Sequence, residues 1–537
     1  MERQWSVVNG QSLVVVLMFS ILLAGCGGES ATGGSNTANR AVPTEADQAT
    51  YSTAPAMANS NAATTANSSI ASYDEEKSVS GERYAEISEN PFLETARAPL
   101  STFSIDVDTA SYANVRRFLN QGQLPPKDAV RIEELINYFE YDYPQPGGDA
   151  PFSVNTEVAS CPWNPKNKIV SIGLQGKKVS LDNVPPSNLV FLLDVSGSMN
   201  APDKLPLLKD SLRVLVNQLT AKDRVAVVVY AGSSGLALPS TTADRRSEII
   251  SALNNLEAGG STNGGQGIQL AYRVAQENFI ENGNNRVILA TDGDFNVGLT
   301  GDDELVRLIE QKRQSGIYLS VLGFGTGNTN DSMMEKLADK GNGNYAYIDS
   351  RDEARKALGA QVAGTLYTIA KDVKIQVEFN PAKVAGYRLI GYENRLLAAR
   401  DFNDDKKDAG EIGAGHAVTA LYEIVPAGQK IENDGIELKY AQAQPSETRF
   451  DDELLTVKLR YKEPQQSQSK LLTIGLLDRG TTIENASNNL RFAAAVAQFG
   501  LILRDSRYKS GASFSGAQYL AQLSLGNDLK NYRGEFV

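Results

Sequence analysis

A chain of 537 residues exceeds what one hydrophobic core sustains, so two to four domains are expected, and its 41% hydrophobic and 22% charged residues are those of an ordinary globular protein. A net charge of −12, from 52 basic and 64 acidic residues, with no basic cluster, excludes non-specific nucleic-acid binding. Two cysteines, Cys26 and Cys161, and a single histidine, His416, exclude a structural zinc finger and a disulfide framework, and leave a Ser-His-Asp hydrolase only His416.

The chain opens on "MERQWSVVNGQS" followed by the apolar run "LVVVLMFSILLA". That run is shorter than the ~20 residues a membrane span needs, and suits a signal h-region. It ends in "LAGC", Leu23 to Cys26, which resembles the bacterial lipobox, so residues 1–25 are expected to be a lipoprotein signal peptide and Cys26 the lipidated residue, carrying palmitate. Gly27 after the cysteine resembles the outer-membrane sorting pattern of cells with two membranes. Glu2 and Arg3 cancel within the signal, so the mature chain keeps its charge of −12, and Cys161 is left as a buried thiol. Residues 26–98 are rich in Ala, Ser, Thr, Asn and Gly, as in "SNTANRAVPTEADQATYSTAPAMANSNAATTANSSIAS". Such a stretch buries too little to order itself and reads as a disordered tether, with a reach of roughly 45 Å for about 70 residues.

Order is expected from residue 99. In 99–187, an α+β segment, Ile132, Leu135, Ile136 and Phe139 form one apolar helical face, and "FSVNTEVASCPW" and "NKIVSIGLQGKKV" alternate as strands. In 188–370 strands and helices alternate. The apolar strand runs are "NLVFLLD", "DRVAVVVYAG", "NRVILATDG" and "IYLSVLGFG". The helical patterns are "KLPLLKDSLRVLVNQL", "RRSEIISALNNL", "GIQLAYRVAQENF", "DDELVRLIEQKRQS" and "RDEARKALGAQVAGTL". Short, fully apolar strands between helices predict an α/β fold, a doubly wound, mostly parallel sheet covered on both faces. Residues 371–537 return to β patterns such as "DVKIQVEFN" and "AVTALYEIVP", and end in the helical runs "NNLRFAAAVAQFGLILRDS" and "GAQYLAQLSL".

In a doubly wound sheet, ligands sit beyond the carboxyl ends of the strands. Asp194 closes one strand and leads into Ser196 and Ser198 at alternate positions; Asp292 closes another; Thr262 lies between, in "AGGSTNGGQGI" ahead of a helix. Two carboxylates and three hydroxyls without His or Cys suit a hard cation, Mg²⁺ or Mn²⁺.

This set, D-x-S-x-S with a Thr in a G-S-T-N loop and the Asp of T-D-G, resembles the metal-ion-dependent adhesion site of von Willebrand factor A (VWA) domains. All five positions are filled: Asp194, Ser196, Ser198, Thr262 and Asp292. The resemblance implies a Rossmann-like sheet, direct coordination by the hydroxyls, aspartates acting through water, and a sixth position for an Asp or Glu of a partner protein. It also implies a shift of the last helix, here "RDEARKALGAQVAGTL", on partner binding. "STFSIDVDTASYANVRRFL" through "INYFEYDYP", and "VEFNPAKVAGYRLIGYENR" with "GEIGAGHAVTALYEI", resemble the flanking segments of bacterial VWA lipoproteins. The expected function is that of a membrane-anchored, extracytoplasmic protein-binding module that is not an enzyme. The alternative is a structural envelope-assembly protein in which the metal only stabilises.

Weaker motifs are set against plainer readings. Asp106-Val107-Asp108-Thr109 has the D-x-D of haloacid dehalogenase-type phosphatases but equally suits the start of a helix. Asp401, Asn403 and Asp405 are spaced as in an EF-hand, yet Lys406 and Ile412 stand where glycine and glutamate are needed, so a solvated acidic loop is expected. "GFGTGN", 323 to 328, lacks the full dinucleotide motif and reads as a strand-end turn, and His416 as a hydrogen-bonding residue at a strand start.

Overall fold

A computed structural model of the chain describes residues 81–180, 184–261, 264–293, 302–431 and 452–537. The segment expected to be a signal peptide, Cys26, most of the expected tether and Thr262 lie outside these residues. The N-terminal flank contains β1 (Leu93–Glu94), β2 (Leu100–Ser104), α1 (Ala110–Asn120), α2 (Ile132–Asn137), β3 (Phe152–Ser160) and β4 (Lys168–Gly176). The central region runs β5 (Ser187–Asp194), α3 (Leu205–Gln218), β6 (Arg224–Tyr230), β7 (Ser234–Thr242), α4 (Arg246–Asn254), α5 (Gly264–Glu277) and β8 (Asn284–Thr291). It continues through α6 (Asp302–Gln314), β9 (Ile317–Phe324), α7 (Asp331–Lys340), β10 (Tyr345–Ile348), α8 (Arg351–Arg355) and α9 (Val362–Leu366). The C-terminal flank holds β11 (Thr368–Phe379), β12 (Val384–Ile390), β13 (Ile412–Gly413), β14 (Ala417–Pro426), β15 (Glu453–Lys462) and β16 (Ser469–Leu477). Three helices close the chain: α10 (Asn488–Leu503), α11 (Phe514–Gln522) and α12 (Tyr532–Phe536).

The central sheet has the order β10-β9-β8-β5-β6-β7 and is parallel except for the antiparallel edge strand β7. Every residue of β5 is buried, as a central strand covered on both faces requires. Leu189, Phe191 and Leu193 meet Leu208, Leu212 and Leu215 of α3 on one face. Val190 and Leu192 meet Ile268 and Ala271 of α5 and Met334 of α7 on the other. Ala110 and Ala113 of α1 complete that second layer, so the N-terminal flank supplies part of the core of the central region.

The segments 99–187 and 371–537 do not form separate bodies. One antiparallel sheet, β1-β12-β14-β4-β3, and another, β13-β11-β15-β16 with β2 added on β11, each draw strands from both flanks. They enclose a common core in which Phe103, Ile172 and Leu174 meet Ile375, Val377 and Val457. The central region is thus inserted into a sandwich assembled from the two segments that flank it. Helices α2 and α10 cover the outer face of the first sheet, packing Leu135, Ile136, Ala494 and Ala497 on Ile169 and Leu421.

Two local expectations are corrected. Residues 81–98, assigned to the tether, are built into the fold: Glu82 pairs with Arg117 at 2.8 Å, and buried Asn90 donates to the carbonyls of Leu389 and Gly391. Composition sees those side chains as polar, not as partnered. The single helix expected over "RDEARKALGAQVAGTL" is broken into α8, a π-helical turn over Lys356–Ala360, and α9. Gly359 sits in that turn close against α3, where an added Cβ would meet Val214 Cγ1 at 3.3 Å.

Arg116 of α1 grips this broken helix. Its guanidinium donates to both oxygens of Asp349, at 2.9 and 2.5 Å, to Glu353 at 2.8 Å and to the Tyr138 hydroxyl at 2.9 Å. Lys356, fully buried in the π turn, donates to the Tyr138 carbonyl at 2.6 Å.

Candidate functional site

Strand β5 ends at Asp194 because its last side chain is polar and must find donors. The Ser196 backbone N–H donates to Asp194 Oδ1 at 2.9 Å, and the Thr291 hydroxyl donates to Oδ2 at 3.3 Å. The chain then enters a 3-10 turn over Gly197–Asn200, anchored by the fully buried Met199. Ser196 and Ser198 are left with their hydroxyls 3.0 Å apart, the second exposed to solvent.

The adjacent strand β8 delivers Asp292 to the same edge, since β5 and β8 are parallel and in register through Leu193 and Ala290. Gly293 follows with φ +96°, where a Cβ would lie 2.6 Å from the Asn330 nitrogen; the turn therefore requires glycine. The glycine-rich loop before α5 is stitched to the first loop by Gly259 N–H to Val195 O at 2.8 Å and Gly197 N–H to Gly260 O at 3.0 Å. Four of the five residues expected at the site are described: Asp194, Ser196, Ser198 and Asp292 gather at one edge. The fifth, Thr262, lies outside the described residues.

Asp194 and Asp292 are both 0% exposed. Burial pushes the Asp194 carboxyl up to about 6; hydrogen bonds from Ser196 and Tyr230 oppose the rise, and the charge of Asp292 adds to it. The cation at the site is one the sequence reading missed. Lys204, the N-cap residue of α3, donates from Nζ to Asp292 Oδ2 at 2.8 Å and is 8% exposed. A lysine at a helix N-terminus opposes the helix dipole, and that misplacement was its available signal.

Among the described residues no three His, Cys, Asp or Glu side chains gather as a metal cage. The donor set is of a different kind, with hydroxyls beside two buried carboxylates, one of which, Asp292, holds the Lys204 ammonium. A small, hard, doubly charged cation fits that donor chemistry.

The other motifs resolve as structural parts. Asp108 accepts from the Tyr345 N–H at 2.7 Å and, with Asp106, faces Arg395 at 3.5 Å in a network that includes Glu335 and Asp339. The expected cap of α1 by Asp108 or Thr109 is replaced by Glu134, whose Oε2 accepts from the Ser111 N–H at 2.8 Å. The 401–412 loop is held by cations of the protein itself: Arg460 reaches Asp405 Oδ1 at 3.2 Å, Lys462 its carbonyl at 2.6 Å, and Lys374 the Asp401 carbonyl at 3.1 Å. His416 lies one residue before β14, and Gly325 and Gly327 turn the chain after β9 with φ of +72° and +97°. Cys161 is a buried free thiol.

Comparison with known proteins agrees with this architecture. A profile described as von Willebrand factor type A domain matches residues 188–360, one described as von Willebrand factor matches 78–171, and one described as Uncharacterized protein YfbK, C-terminal, matches 364–537. The Uncharacterized protein YfbK of Escherichia coli (strain K12) is 46% identical over 466 residues, covering 85% of this chain and 80% of that one. The human inter-alpha-trypsin inhibitor heavy chain H3 is 28% identical over 262 residues, 45% of this chain and 29% of its own. Among solved structures, a von Willebrand factor type A protein from Catenulispora acidiphila aligns with 74% of this chain and 91% of its own, at 18% identity and a TM-score of 0.41. The chain belongs to the bacterial VWA-domain family typified by YfbK, with that family's C-terminal accessory domain.

Proposed function

We propose that the protein is a lipid-anchored, extracytoplasmic binding module that captures an acidic side chain of a partner protein through a divalent cation. The observation that carries this reading is the pair of fully buried carboxylates, Asp194 and Asp292, brought to one sheet edge beside the Ser196 and Ser198 hydroxyls, with the Lys204 ammonium on Asp292. Asp194, Ser196, Ser198, Thr262 and Asp292 are the residues that hold the ion, Mg²⁺ or Mn²⁺. A bound ion of this kind supplies an open coordination position for a partner's Asp or Glu. Ser198, exposed at the rim, and the neighbouring loops set which partner is accepted. Cys26 carries the lipid that attaches the module to the cell envelope, at the outer membrane in a cell with two membranes. No helix among the described residues is long and apolar enough to cross a membrane.

A second reading, an envelope-assembly protein in which the ion only stabilises, draws on the grip of Arg116 on Asp349 and Glu353. That grip opposes any shift of the last helix. Calorimetric titration of the full chain with Mg²⁺ tests the common premise: saturable binding is expected in wild type and its loss in Asp194→Ala. Partner complexes that survive EDTA would favour the structural reading.

A further inference from the structure

We propose that Lys204 is a fixed counter-charge of the cation site: it stays on Asp292 whether or not a divalent ion is bound, weakens the site's grip on the ion, and strengthens its attraction for an anionic ligand. The inference rests on the cation-binding reading above and deepens it.

The side chain is held at every level. Its backbone is fixed at the start of α3, where its N–H donates to Ala201 O at 3.0 Å and its carbonyl accepts from the Leu208 N–H at 2.8 Å. Its stem lies over Gly325, so closely that a Cβ there would fall 2.3 Å from Lys204 Cε, 2.4 Å from Cγ and 2.8 Å from Cδ. Gly325 has φ +72° and is braced in turn by the Tyr347 hydroxyl, which donates to its carbonyl at 2.5 Å. The ammonium ends on Asp292 Oδ2, and the side chain is 10% exposed. A stem seated this closely on Gly325 holds the ammonium at Asp292.

The charges then decide the chemistry. Asp194 and Asp292 alone neutralise a divalent ion and leave a site indifferent to charge. With Lys204 in place the loaded site carries one net positive charge, in a buried setting where Coulomb forces are strong. Such a site favours a carboxylate over water or a neutral donor in its open position. The same charge repels the ion itself, so the site gives up affinity for the metal in exchange for selectivity toward acidic ligands. Without an ion, Lys204 also keeps Asp292 from being a buried carboxylate without a counter-ion, so the site stays preformed.

The test uses the full chain, with Mn²⁺ as the ion and acetate as the carboxylate probe. Mn²⁺ affinity is measured by calorimetry, and acetate binding by the fall in water-proton relaxation as it displaces coordinated water. Lys204→Met is expected to bind Mn²⁺ about tenfold more tightly or better, the scale set by one unit charge in a low-dielectric site, and to lose acetate binding. Lys204→Arg, which keeps the charge, is expected to stay within about threefold of wild type on the same scale. If Lys204→Met does not fold without the ion, Lys204→Gln, whose amide still donates to Asp292, carries the comparison. Equal Mn²⁺ affinity and equal acetate binding in wild type and the neutral variants overturn the role of Lys204 and leave the cation site standing. No Mn²⁺ binding in any form, wild type included, overturns the cation site itself.

Discussion

Replacing Arg116 by methionine is predicted to cost about 3 kcal/mol of stability. The side chain is 11% exposed and faces Asp349 and Glu353, 9% and 2% exposed. Methionine fills much of the same volume, so the loss is electrostatic. Two buried carboxylates are left beside each other with their bidentate partner gone. Removing one partner of a buried pair costs about 3–5 kcal/mol, because the remaining charge is stranded. The lower end applies here, since the Tyr138 hydroxyl still donates to Glu353 at 2.7 Å and Lys356 lies nearby. The assay is urea unfolding of the full chain with linear extrapolation, and the slope should stay at the wild-type value. Arg116→Lys, which keeps the charge but not the planar fork, should recover part of the loss. A cost below about 1 kcal/mol for the methionine variant would mean that the network is solvated like a surface pair, and the claim that α1 clamps α8 would fail.

Three further predictions follow from single contacts. Burial lowers the Lys356 ammonium to about 7, below its unfolded value of 10.5, so the folded state sheds a proton that the unfolded chain keeps between those values. Its penalty is complete below pH 7 and relieved as pH rises, giving about 2 kcal/mol more stability at pH 8.5 than at pH 7; Lys356→Met should flatten that slope in pH-dependent urea melts. Gly325→Ala, forced to a φ of +72° against the Lys204 stem, should cost at least about 2 kcal/mol in thermal unfolding, whereas a neutral result would free Lys204 from its cradle. Glu423→Ala strands the 2% exposed Arg388 and removes the acceptor of Trp163 Nε1 and Asn167, so a loss of about 3 kcal/mol or more is expected in urea melts, and a smaller one would refute the accounting.

The central sheet was legible because its chemistry is local. Runs such as "NLVFLLD" are apolar on both faces, and the helices between them carry one apolar stripe each, so strand, helix and strand end could be placed from periodicity alone. The edge strand Ser234–Thr242 was not: Gly235, Pro239 and a half-exposed face lower its strand signal. Nor did the sequence disclose that Leu100–Ser104 pairs with Thr368–Phe379, since register between segments more than 250 residues apart leaves no local trace. Asp194, Ser196, Ser198 and Asp292 were found because strand ends and spacing mark them. Lys204 was not, because its role depends on Gly325, which another strand brings across the sheet. Residues 81–98 and the break at Lys356–Ala360 depend likewise on partners far away in sequence.

The most direct test of the binding reading is capture of envelope proteins on the immobilised full chain in three arms: wild type with Mg²⁺, wild type with EDTA, and Asp194→Ala with Mg²⁺. The account predicts a partner retained in the first arm and lost in the other two. The same partners in all three arms would contradict it, and would place the binding surface on the flanking sandwich rather than at the end of the central sheet.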